Sequence, residues 1–531
     1  MKNVVFTLPQ LVPLLRISAA ISQAKPAKLP KGTGIYMKSF LSYLNQTADR
    51  LPDKLAFSDG EQGLTFRELR QAAANVGACL RHSGAKAEPV GVLMERGAPE
   101  IAAFLGVLEA GCFYVPLDEQ MPRERLDRIV RTLCPRFILT DRKNLTAAEG
   151  LCPAAEHLLY TGAAAFPGPD RLRDESAADG LAYVVFTSGS TGEPKGVSIR
   201  ESSLLDYAAT LPEALSFDES LIFGIQSPLY FDAWLKELLG VIVKGATAYL
   251  LPRELFVNPV SLIQYINERQ INALCWVSSA FSLVSRLRTF YAVVPEHLKL
   301  MCFGSEVLPV KQLAAWQKAC PDARIFQLYG ATECTGMSFY HPVVGPQDPA
   351  KPVPVGKPFP GTRLYLLDDE GQLSKEGEIV IGGPCVMAGY YKDPVRTAAA
   401  LIPDPADPEH GELCYRTGDH GRLDENGDLI FVGRRDQQIK HMGHRVELGE
   451  IEAAALSLRG VHEAVCMYVA DRQRIDLFYT GPAQPWDLVV GLKVKLPGYM
   501  TPSRTEQRSE LPHLPNGKID RRAIEQKEYG K

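Results

Sequence analysis

The chain has 531 residues, of which 46% are hydrophobic and 23% are charged, and its formal net charge at pH 7 is −4. This ordinary globular composition excludes a disordered, collagen-like or coiled-coil protein. Because 58 basic residues face 62 acidic ones, no whole-molecule positive field exists to hold nucleic acid or anionic lipid. We therefore expect neither as a main partner.

The eleven cysteines are odd in number and scattered, without a CxxC pair or a Cys/His cluster. We therefore expect neither a disulfide framework nor a structural zinc site, and a reducing, cytoplasmic location fits best. The chain contains no apolar run of about 18 residues, so no membrane span is predicted. The leader at residues 1–34 loosely resembles a signal peptide. Pro9, Pro13 and Arg16 interrupt its apolar stretch, which favours an amphipathic surface segment.

After the leader, apolar β-rich runs alternate with amphipathic helical patterns. Helices are predicted to include Asn75–His82 and Ile101–Ala110. Buried strands are predicted at Pro89–Met94, Phe113–Pro116, Leu181–Phe186 and Thr247–Leu251. This repeated βα pattern predicts an α/β fold with mostly parallel sheets covered by helices.

The pattern changes after residue 340, where strands become shorter and turn signals separate them. Such signals lie at Asp369–Gly371 and Glu425–Asp428, and charge then concentrates at Gly433–Asp436. We place the main boundary at this charged segment. The sequence thus predicts a large domain over residues 35–435 and a small C-terminal domain over residues 436–531.

The strongest local signal is a loop of glycines and hydroxyls that follows the predicted strand ending at Phe186. Glycines let the backbone approach an anion, hydroxyls donate hydrogen bonds to it, and lysine supplies positive charge, as triphosphate binding requires. Pro194 stands where a Walker A loop has its second glycine, so this is a different phosphate loop. The alternative is a flexible surface loop, which the preceding buried strand disfavours. The candidate phosphate-binding residues are Thr187, Ser188, Gly189, Ser190, Thr191, Gly192 and Lys195.

This loop resembles the phosphate-binding signature of adenylate-forming enzymes, which include acyl-CoA synthetases, luciferases and nonribosomal peptide synthetase adenylation domains. The resemblance continues in order over most of the chain. The matching segments are Leu64–Leu69, Leu108–Asp118, Tyr329–Glu333, Gly377–Gly382, Tyr415–Asp419, Gly433–Gln438, Gly443–Glu452, Leu496–Pro502 and Leu514–Asp520. The fold it implies is a large domain of helix-covered, mostly parallel sheets plus a distorted β-barrel, with a small mobile C-terminal α+β domain.

The resemblance implies a nucleotide site on the large domain. The phosphate loop would hold the β- and γ-phosphates of ATP, and Tyr329 would stack on adenine. Asp419 would accept hydrogen bonds from the ribose hydroxyls, with Arg434 nearby. Taken alone, Tyr329 is more typical of a core residue, and Asp419 is typical of a turn. The backbone expected along the adenine edge is that of Gly304, Ser305 and Glu306.

The resemblance also implies the catalytic groups. Thr332 would contact the α-phosphate, Glu333 would ligate Mg²⁺, and Lys518 would reach from the C-terminal domain to the reacting carboxylate. Asp436 stands where the family has its hinge. A carboxylate that attacks an α-phosphate needs two anions brought together and their charge neutralised, which a lysine and Mg²⁺ can do. Read alone, the Asn-Gly-Lys around Lys518 is typical of an exposed turn.

Asp232 indicates which acid is activated. In amino-acid-activating relatives an aspartate at this position pairs with the substrate α-ammonium, and a buried carboxylate requires such a cation. The alternative is an aspartate that begins a helix. The remaining pocket residues, matched in the same way, are mostly apolar: Phe231, Ala233, Lys236, Cys275, Met301, Phe303, Leu328, Gly336 and Met337.

Lys236 is the charged exception, and two interpretations stay open. It resembles the lysine that faces the side-chain carboxylate in glutamate-activating domains, although the rest of that pattern does not match. The interpretation we favour from sequence is that its ammonium reaches solvent while its stem lines the pocket wall. The substrate side chain is therefore either acidic or small to medium and apolar.

The sequence predicts a stand-alone enzyme that makes aminoacyl-AMP and pyrophosphate from ATP with Mg²⁺. It would then transfer the aminoacyl group to a phosphopantetheine thiol on a separate carrier protein, after the C-terminal domain rotates about Asp436. The thirteen residues after Lys518 are too few for a carrier domain. Ala331 replaces a proline common in amino-acid-activating relatives, so an acyl- or aryl-CoA ligase remains the alternative. A remote alternative is a nucleotide-binding regulator without activity.

Overall fold

The computed structural model describes residues 37–161, 167–174, 180–189, 193–409, 412–434, 438–513 and 519–530. The leader and five predicted site residues lie outside the described residues: Ser190, Thr191, Gly192, Asp436 and Lys518. No helix in the described ranges is both long and apolar enough to cross a membrane.

The described α-helices alternate with strands along most of the chain. They are α1 Phe40–Arg50, α2 Phe66–His82, α3 Ala98–Glu109, α4 Arg123–Leu133, α5 Leu145–Leu151, α6 Glu201–Ala214, α7 Leu235–Lys244, α8 Pro259–Glu268, α9 Ser278–Arg286, α10 Val310–Ala319, α11 Pro394–Ala400, α12 Leu448–Leu456, α13 Pro485–Lys495 and α14 Arg521–Tyr529. The predicted segment Asn75–His82 is part of α2, and the predicted helix Ile101–Ala110 extends one residue past the end of α3. Thr65 and Glu68 form a capping box at the N-terminus of α2.

The described strands include all four that the apolar runs predicted, each within one residue of its expected bounds. They are β1 Leu55–Ser58, β2 Gly63–Thr65, β3 Pro89–Leu93, β4 Phe113–Leu117, β5 Phe137–Thr140, β6 Glu156–Leu159, β7 Leu181–Thr187, β8 Lys195–Arg200, β9 Ile222–Ile225, β10 Thr247–Leu250, β11 Ala273–Val277, β12 Leu300–Gly304, β13 Arg324–Tyr329, β14 Phe339–Pro342, β15 Lys357–Pro358, β16 Arg363–Leu367, β17 Glu376–Gly382, β18 Gly389–Tyr390, β19 Leu401–Pro403, β20 Leu413–Leu423, β21 Leu429–Arg434, β22 Gln438–His441, β23 His444–Glu447, β24 Glu463–Val469, β25 Arg474–Thr480 and β26 Arg504–Gln507.

Two large sheets form the frame of the protein. One has the described strand order β18-β8-β7-β4-β3-β5-β6, and its β7-β4-β3-β5-β6 section is parallel. The other has the order β15-β14-β13-β12-β11-β9-β10-β1-β2, with a parallel centre from β13 to β1. Antiparallel strands complete their edges. The mostly parallel, helix-covered sheets predicted from the βα pattern are confirmed.

The region after residue 340 forms a third, antiparallel sheet in the order β16-β17-β20-β19, with β21 on β20. The two turn signals read from the sequence connect β16 to β17 and β20 to β21. Short strands joined by tight turns therefore replace the βα units here. This curled sheet brings the residues of β20 and β21 against the large nine-stranded sheet.

Residues 438–530 contain a hydrophobic core of their own. A three-stranded sheet, β24-β25-β26, packs against α12 and α13 through a group of buried apolar side chains. Its largest members include Ile451, Leu477, Tyr479, Leu492 and Met500. A separate core is what the predicted C-terminal domain requires, but the proposed boundary falls on residues outside the described ranges and stays a prediction.

The C-terminal residues pack against the rest of the chain through buried polar and aromatic contacts. Arg125 of α4 and Glu450 of α12 form an ion pair at 2.6 Å, with 4% and 2% of their side chains exposed. The His444 ring stacks on Tyr499 at a centroid distance of 3.7 Å and meets the edge of Phe231 at 4.9 Å. These contacts hold β23 over the C-terminal ends of the large-sheet strands.

We expect His444 to make this packing sensitive to pH. Burial, together with the nearby positive charges of Arg253 and Arg125, lowers the pKa of His444 from 6.5 to about 3. The packed imidazole therefore stays neutral, whereas an exposed one takes up a proton below pH 6.5. Above pH 6.5 the packed His444 contributes its full share to the free energy of unfolding. That contribution falls by up to about 1.4 kcal/mol per pH unit as the pH falls from 6.5 toward 3.

The substitution His444→Phe keeps a stacking ring and removes the proton, so the drop in Tm between about pH 7 and about pH 5 should be smaller than in the wild type. Thermal unfolding measured by circular dichroism at both pH values tests this expectation. His297→Phe, at an exposed histidine, is the control and should keep the wild-type pH dependence. An unchanged drop in His444→Phe would contradict the assignment.

Candidate active site

A cleft, which we call the central cleft, opens where parallel strands of the nine-stranded sheet end. Val277, Ser305 and Gly330 follow or end β11, β12 and β13, and all three line the cleft. Ligands of open α/β sheets bind outside the carboxyl ends of the strands, because loops and helix starts converge there. Ten of the predicted site residues line this cleft: Thr187, Phe231, Asp232, Ala233, Ser305, Thr332, Gly336, Met337, Asp419 and Arg434.

One end of the cleft joins Tyr329 to Asp419. Tyr329, at the end of β13, is 4% exposed, and its hydroxyl donates to Asp419 Oδ2 at 2.5 Å. Arg434 donates to the other oxygen of the same carboxylate. Burial and the Asp419 carboxylate raise the pKa of Tyr329. The aromatic ring is suited to a nucleobase, and the carboxylate, which two donors orient, is suited to a ribose.

Lys440 was not singled out from the sequence, yet its ammonium lies 5.6 Å from the centre of the Tyr329 ring. The residue lines the cleft from β22, and burial lowers its pKa. The available signal was its place two residues after the Gly433–Gln438 segment. A cation over an aromatic face is attracted by the ring quadrupole, which positions this lysine at the nucleotide end.

The phosphate loop begins at the end of β7 and is buried there. Thr187 Oγ1 is buried without a hydrogen-bond partner among the described atoms, and Ser188 Oγ donates to the Arg445 carbonyl at 2.8 Å. A Cβ atom at Gly189 would lie 2.2 Å from the Glu193 carbonyl, so the loop needs glycine at this point. Burial and the nearby Arg445 lower the pKa of Lys195 to about 8.

Glu333 follows Thr332 beside the cleft and is fully buried, at 0% exposure. Its two oxygens accept hydrogen bonds from Arg445 at 2.7 and 2.9 Å, and Tyr390 donates to it at 2.7 Å. Lys195 Nζ lies 3.3 Å away. Burial alone would raise the pKa of Glu333, but the positive charges of Arg445 and Lys195 outweigh it and hold the pKa below its usual value.

Glu333 fits the role of a magnesium ligand. Mg²⁺ usually binds one or two protein carboxylates and completes its shell with water and phosphate oxygens. The structure keeps this carboxylate ionised beside the phosphate loop, as that role requires. In the arrangement described here Arg445 contacts both oxygens, so the metal and the guanidinium would compete for them.

A basic cleft continues from this end of the site. It shares Tyr415, Thr417, Arg434, Gln438 and Arg445 with the central cleft. Its cationic lining residues are Lys195, Arg396, Arg416, Arg434 and Arg445, against two acidic ones, Glu378 and Glu447. This excess of positive charge favours polyphosphate at this side of the site.

Asp232 lines the central cleft together with Phe231, Ala233 and Thr332. The helix after it, α7, is preceded by Trp234 and has no side-chain cap, so the helix-start alternative for Asp232 is wrong. Burial raises the pKa of Asp232, while a hydrogen bond from Thr332 and the charge of Lys236 act in the opposite direction. The carboxylate therefore lies beside a residue expected near the α-phosphate, with its lining face open to a ligand.

Lys236 does not reach solvent, and the interpretation favoured from its sequence position is wrong. The residue is 3% exposed, and its ammonium donates to the Ala233 carbonyl. Its neighbour Glu237 is 0% exposed, with no hydrogen-bond partner among the described residues for either oxygen. Burial raises the pKa of Glu237 to about 8. The helix start at α7 therefore buries an ammonium beside a predominantly uncharged carboxyl group.

The structure does not bring five of the predicted pocket residues to the lining of the cleft: Lys236, Cys275, Met301, Phe303 and Leu328. Cys275 and Leu328 belong to the largest hydrophobic core, whereas Met301 and Phe303 belong to the second core. Cys275 pairs with Cys302 across β11 and β12, so Met301 and Phe303 lie on the opposite face of the sheet from Cys275. Gly304 ends β12, and the Glu306 carboxylate accepts the backbone N–H of Gly443 at 2.8 Å.

Comparisons with known proteins agree with this geometry. The AMP-binding enzyme family model matches residues 44–391. Phosphinothricin tripeptide synthetase PhsC from Streptomyces viridochromogenes is 34% identical over 495 residues, which is 91% of this chain and 44% of the relative. Tyrocidine synthase 3 from Brevibacillus parabrevis is 30% identical over 501 residues, which is 92% of this chain and 8% of the relative. The chain thus spans less than half the length of these relatives.

Solved structures share the fold over nearly the whole chain. Holo-PA1221, an NRPS protein containing adenylation and PCP domains bound to a vinylsulfonamide inhibitor, matches with a TM-score of 0.77 and 26% identity, over 92% of this chain and 84% of that one. The Vibrio cholerae adenylation domain AlmE, in complex with glycyl-adenosine-5′-phosphate, matches in fold with a TM-score of 0.80 and 22% identity, over 95% and 100% of the two chains. The chain belongs to the AMP-binding enzyme family, as an adenylate-forming domain of the nonribosomal peptide synthetase type.

Proposed function

We propose that the protein activates an α-amino acid with an acidic side chain and transfers it to the phosphopantetheine thiol of a separate carrier protein. Family membership supports ATP-dependent formation of an acyl-adenylate. The observation that carries the amino-acid assignment is the Asp232 carboxylate, which lines the central cleft beside Thr332. A substrate α-ammonium is the cation that this carboxylate requires.

The charge balance around Asp232 supports an acidic side chain. In the free protein, the buried ammonium of Lys236 lies near Asp232, while Glu237 is predominantly uncharged. If the α-ammonium group of the substrate pairs with Asp232, Lys236 no longer has a negatively charged partner. Because an unpaired buried charge is costly, a second carboxylate on the substrate would stabilise the complex by restoring neutrality.

The first step joins the substrate carboxylate to the α-phosphate of ATP, with pyrophosphate as the leaving group. Lys195 and the phosphate loop hold the polyphosphate, Thr332 orients the α-phosphate, and Tyr329 with Asp419 positions the nucleoside. Mg²⁺, bound through Glu333, would neutralise charge on the phosphates. Lys518 would neutralise the two reacting anions as they approach. The basic cleft offers pyrophosphate a path outward.

The second step would use a different placement of the C-terminal domain. Gly443, His444 and Arg445 line the central cleft, which is the arrangement that the family resemblance implies for transfer. Arg445 would then pair with Glu333 after pyrophosphate has left. The thiol would attack the carbonyl carbon as AMP departs. Rotation about Asp436, between domains 35–435 and 436–531, would exchange this segment for Lys518.

The reaction class is tested by ATP–pyrophosphate exchange over individual L- and D-amino acids, with fatty and aryl acids added to the panel. We expect exchange with one or a few amino acids. In Asp232→Asn, kcat/KM for that acid should fall by about 100-fold or more, because breaking a buried ion pair costs about 3–5 kcal/mol. The exposed Asp322→Asn is the control. Exchange with only fatty or aryl acids would replace this proposal with an acyl- or aryl-CoA ligase.

The side-chain assignment is tested by Lys236→Met, which keeps an apolar stem of similar length and removes the charge. We expect kcat/KM for an acidic amino acid to fall by about 100-fold, while the value for its amide counterpart changes by less than about threefold, because only the acid loses an ionic partner. ATP–pyrophosphate exchange with both substrates measures this difference. An equal fall for both would show that Lys236 supports the pocket without reading charge.

The division between the two steps is tested by Lys518→Ala. Exchange should fall by about 100-fold or more, since removing one donor to a developing anion has that effect. Transfer from preformed aminoacyl-AMP to a carrier thiol should stay within about threefold of the wild type, because Lys518 has left the site by then. Lys527→Ala, an exposed lysine of α14, is the control. Equal losses in both steps would rule out this division of roles.

A further inference from the structure

A buried ion pair joins helix α4 of the large domain to helix α12 of the C-terminal residues. Arg125 Nη1 lies 2.6 Å from Glu450 Oε1, and only 4% and 2% of the two side chains are exposed. The partners are 325 residues apart in the chain, so they meet only while the two parts of the protein are packed together. The pair therefore depends on the placement of the C-terminal residues.

A second ion pair joins the same two parts at the edge of this contact. Lys495, the last residue of α13, pairs with Glu124 of α4 at 3.2 Å. Their side chains are 23% and 36% exposed, and Arg128 shares the Glu124 carboxylate. Ion pairs that stay in contact with water contribute little to stability. The buried pair is therefore the one whose charges are most affected by a change of placement.

The buried pair is incompletely satisfied. Arg125 Nε and Glu450 Oε2 are buried without a hydrogen-bond partner among the described atoms. Burial raises the pKa of Glu450, and the charge of Arg125 only partly offsets this effect. The attraction within a buried ion pair outweighs the cost of desolvation only when the remaining donors and acceptors are also satisfied. The Arg125–Glu450 pair therefore adds little net stability to the packed placement.

Such a pair is suited to a contact that must form and break. When both partners are present, attraction and desolvation nearly balance, so the packed placement can be left again. When one partner is missing, the packed placement buries an unpaired charge, which is strongly unfavourable. Rotation of the C-terminal domain would separate Arg125 from Glu450 and let water solvate the remaining charge. The packed placement is therefore accessible only with both partners or with neither.

The pair is connected to the segment that lines the central cleft. Glu450 lies in the first turn of α12, which directly follows β23 with His444 and Arg445. Arg125 is also near the hydroxyl of Tyr499, whose ring stacks on His444. An ion pair at the start of α12 therefore helps to fix the strand that carries His444 and Arg445 to the cleft.

We propose that Arg125 and Glu450 are positioning residues that set the balance between the two steps of the reaction, because together they permit the placement used for transfer. This inference rests on the proposed function, in which His444 and Arg445 line the cleft during transfer. Neither member of the pair touches the substrate. Loss of one charge shifts the protein toward the placement that forms the adenylate, whereas loss of both charges does not.

Single variants test the direction of the effect. With the amino acid that gives the strongest ATP–pyrophosphate exchange, transfer from its preformed adenylate to pantetheine should fall by at least about tenfold in Glu450→Met, which leaves Arg125 unpaired. The fall in Arg125→Met should be smaller, at least about threefold, because a carboxyl group can take up a proton. ATP–pyrophosphate exchange should stay at or above the wild-type rate in both. Equal losses in transfer and exchange would overturn the proposal.

The double variant should reverse the loss. Arg125→Met with Glu450→Met replaces both charges by apolar side chains, a change that is often neutral or stabilising at buried ion pairs. Transfer should therefore return to within about threefold of the wild type. Arg123→Met with Asp127→Met, at an exposed pair on the same helix, is the control and should keep wild-type rates. A double variant that transfers no faster than Glu450→Met overturns the proposal.

A measurement on the free protein needs no substrate. The backbone N–H of Gly443 donates to Glu306 of the large domain at 2.8 Å, so its protection from hydrogen–deuterium exchange reports the packed placement. Deuterium uptake by peptides that contain Gly443, followed by mass spectrometry, should be at least about threefold faster in Glu450→Met than in the wild type. The double variant should match the wild type. Unchanged uptake in Glu450→Met overturns the proposal.

The two kinds of measurement separate this inference from the proposed function. If the wild type shows no ATP–pyrophosphate exchange with any acid, the proposed function is refuted, and deuterium uptake still decides whether the pair holds the packed placement. If the wild type is active and all variants transfer as it does, only the role of Arg125 and Glu450 is refuted.

Discussion

The buried carboxylate of Glu333 is the group on which the arrangement of this site depends. A carboxylate at 0% exposure is tolerated only with close positive partners, and Arg445 and Lys195 provide them. Lys195 belongs to the phosphate loop and Arg445 to the C-terminal residues. The Glu333 carboxylate therefore links the phosphate loop, the chain that follows β13 and the C-terminal segment around Arg445.

The same interaction relates the described arrangement to the chemistry. A guanidinium on both oxygens of Glu333 would compete with a magnesium ion for that carboxylate. Contacts away from Glu333, such as the Arg125–Glu450 pair and the His444–Tyr499 stack, hold the C-terminal residues in this placement.

Charge is arranged around the reaction centre by sign. Basic side chains outnumber acidic ones in the basic cleft, whereas acidic side chains outnumber basic ones in the cleft on the other side of the segment 228–231, which Asp118, Glu119 and Arg253 help to line. Asp232 lines the central cleft and feels the positive charge of the buried Lys236. Net charge for the whole chain is −4, so this separation is a property of the clefts and not of the composition.

The sequence alone determined the fold class, the order of the motifs and ten of the residues that line the central cleft, because these depend on local patterns. Apolar runs identify buried strands, and a glycine-rich loop after a strand identifies an anion site. The tertiary structure decided what depends on distant contacts. Arg445 and Glu333 are 112 residues apart, and nothing local pairs them. Lys236 is buried, and Cys275 and Met301 lie on opposite faces of the sheet, because of how separate elements meet. Packing sets which charges lose solvent and which side chains share a face.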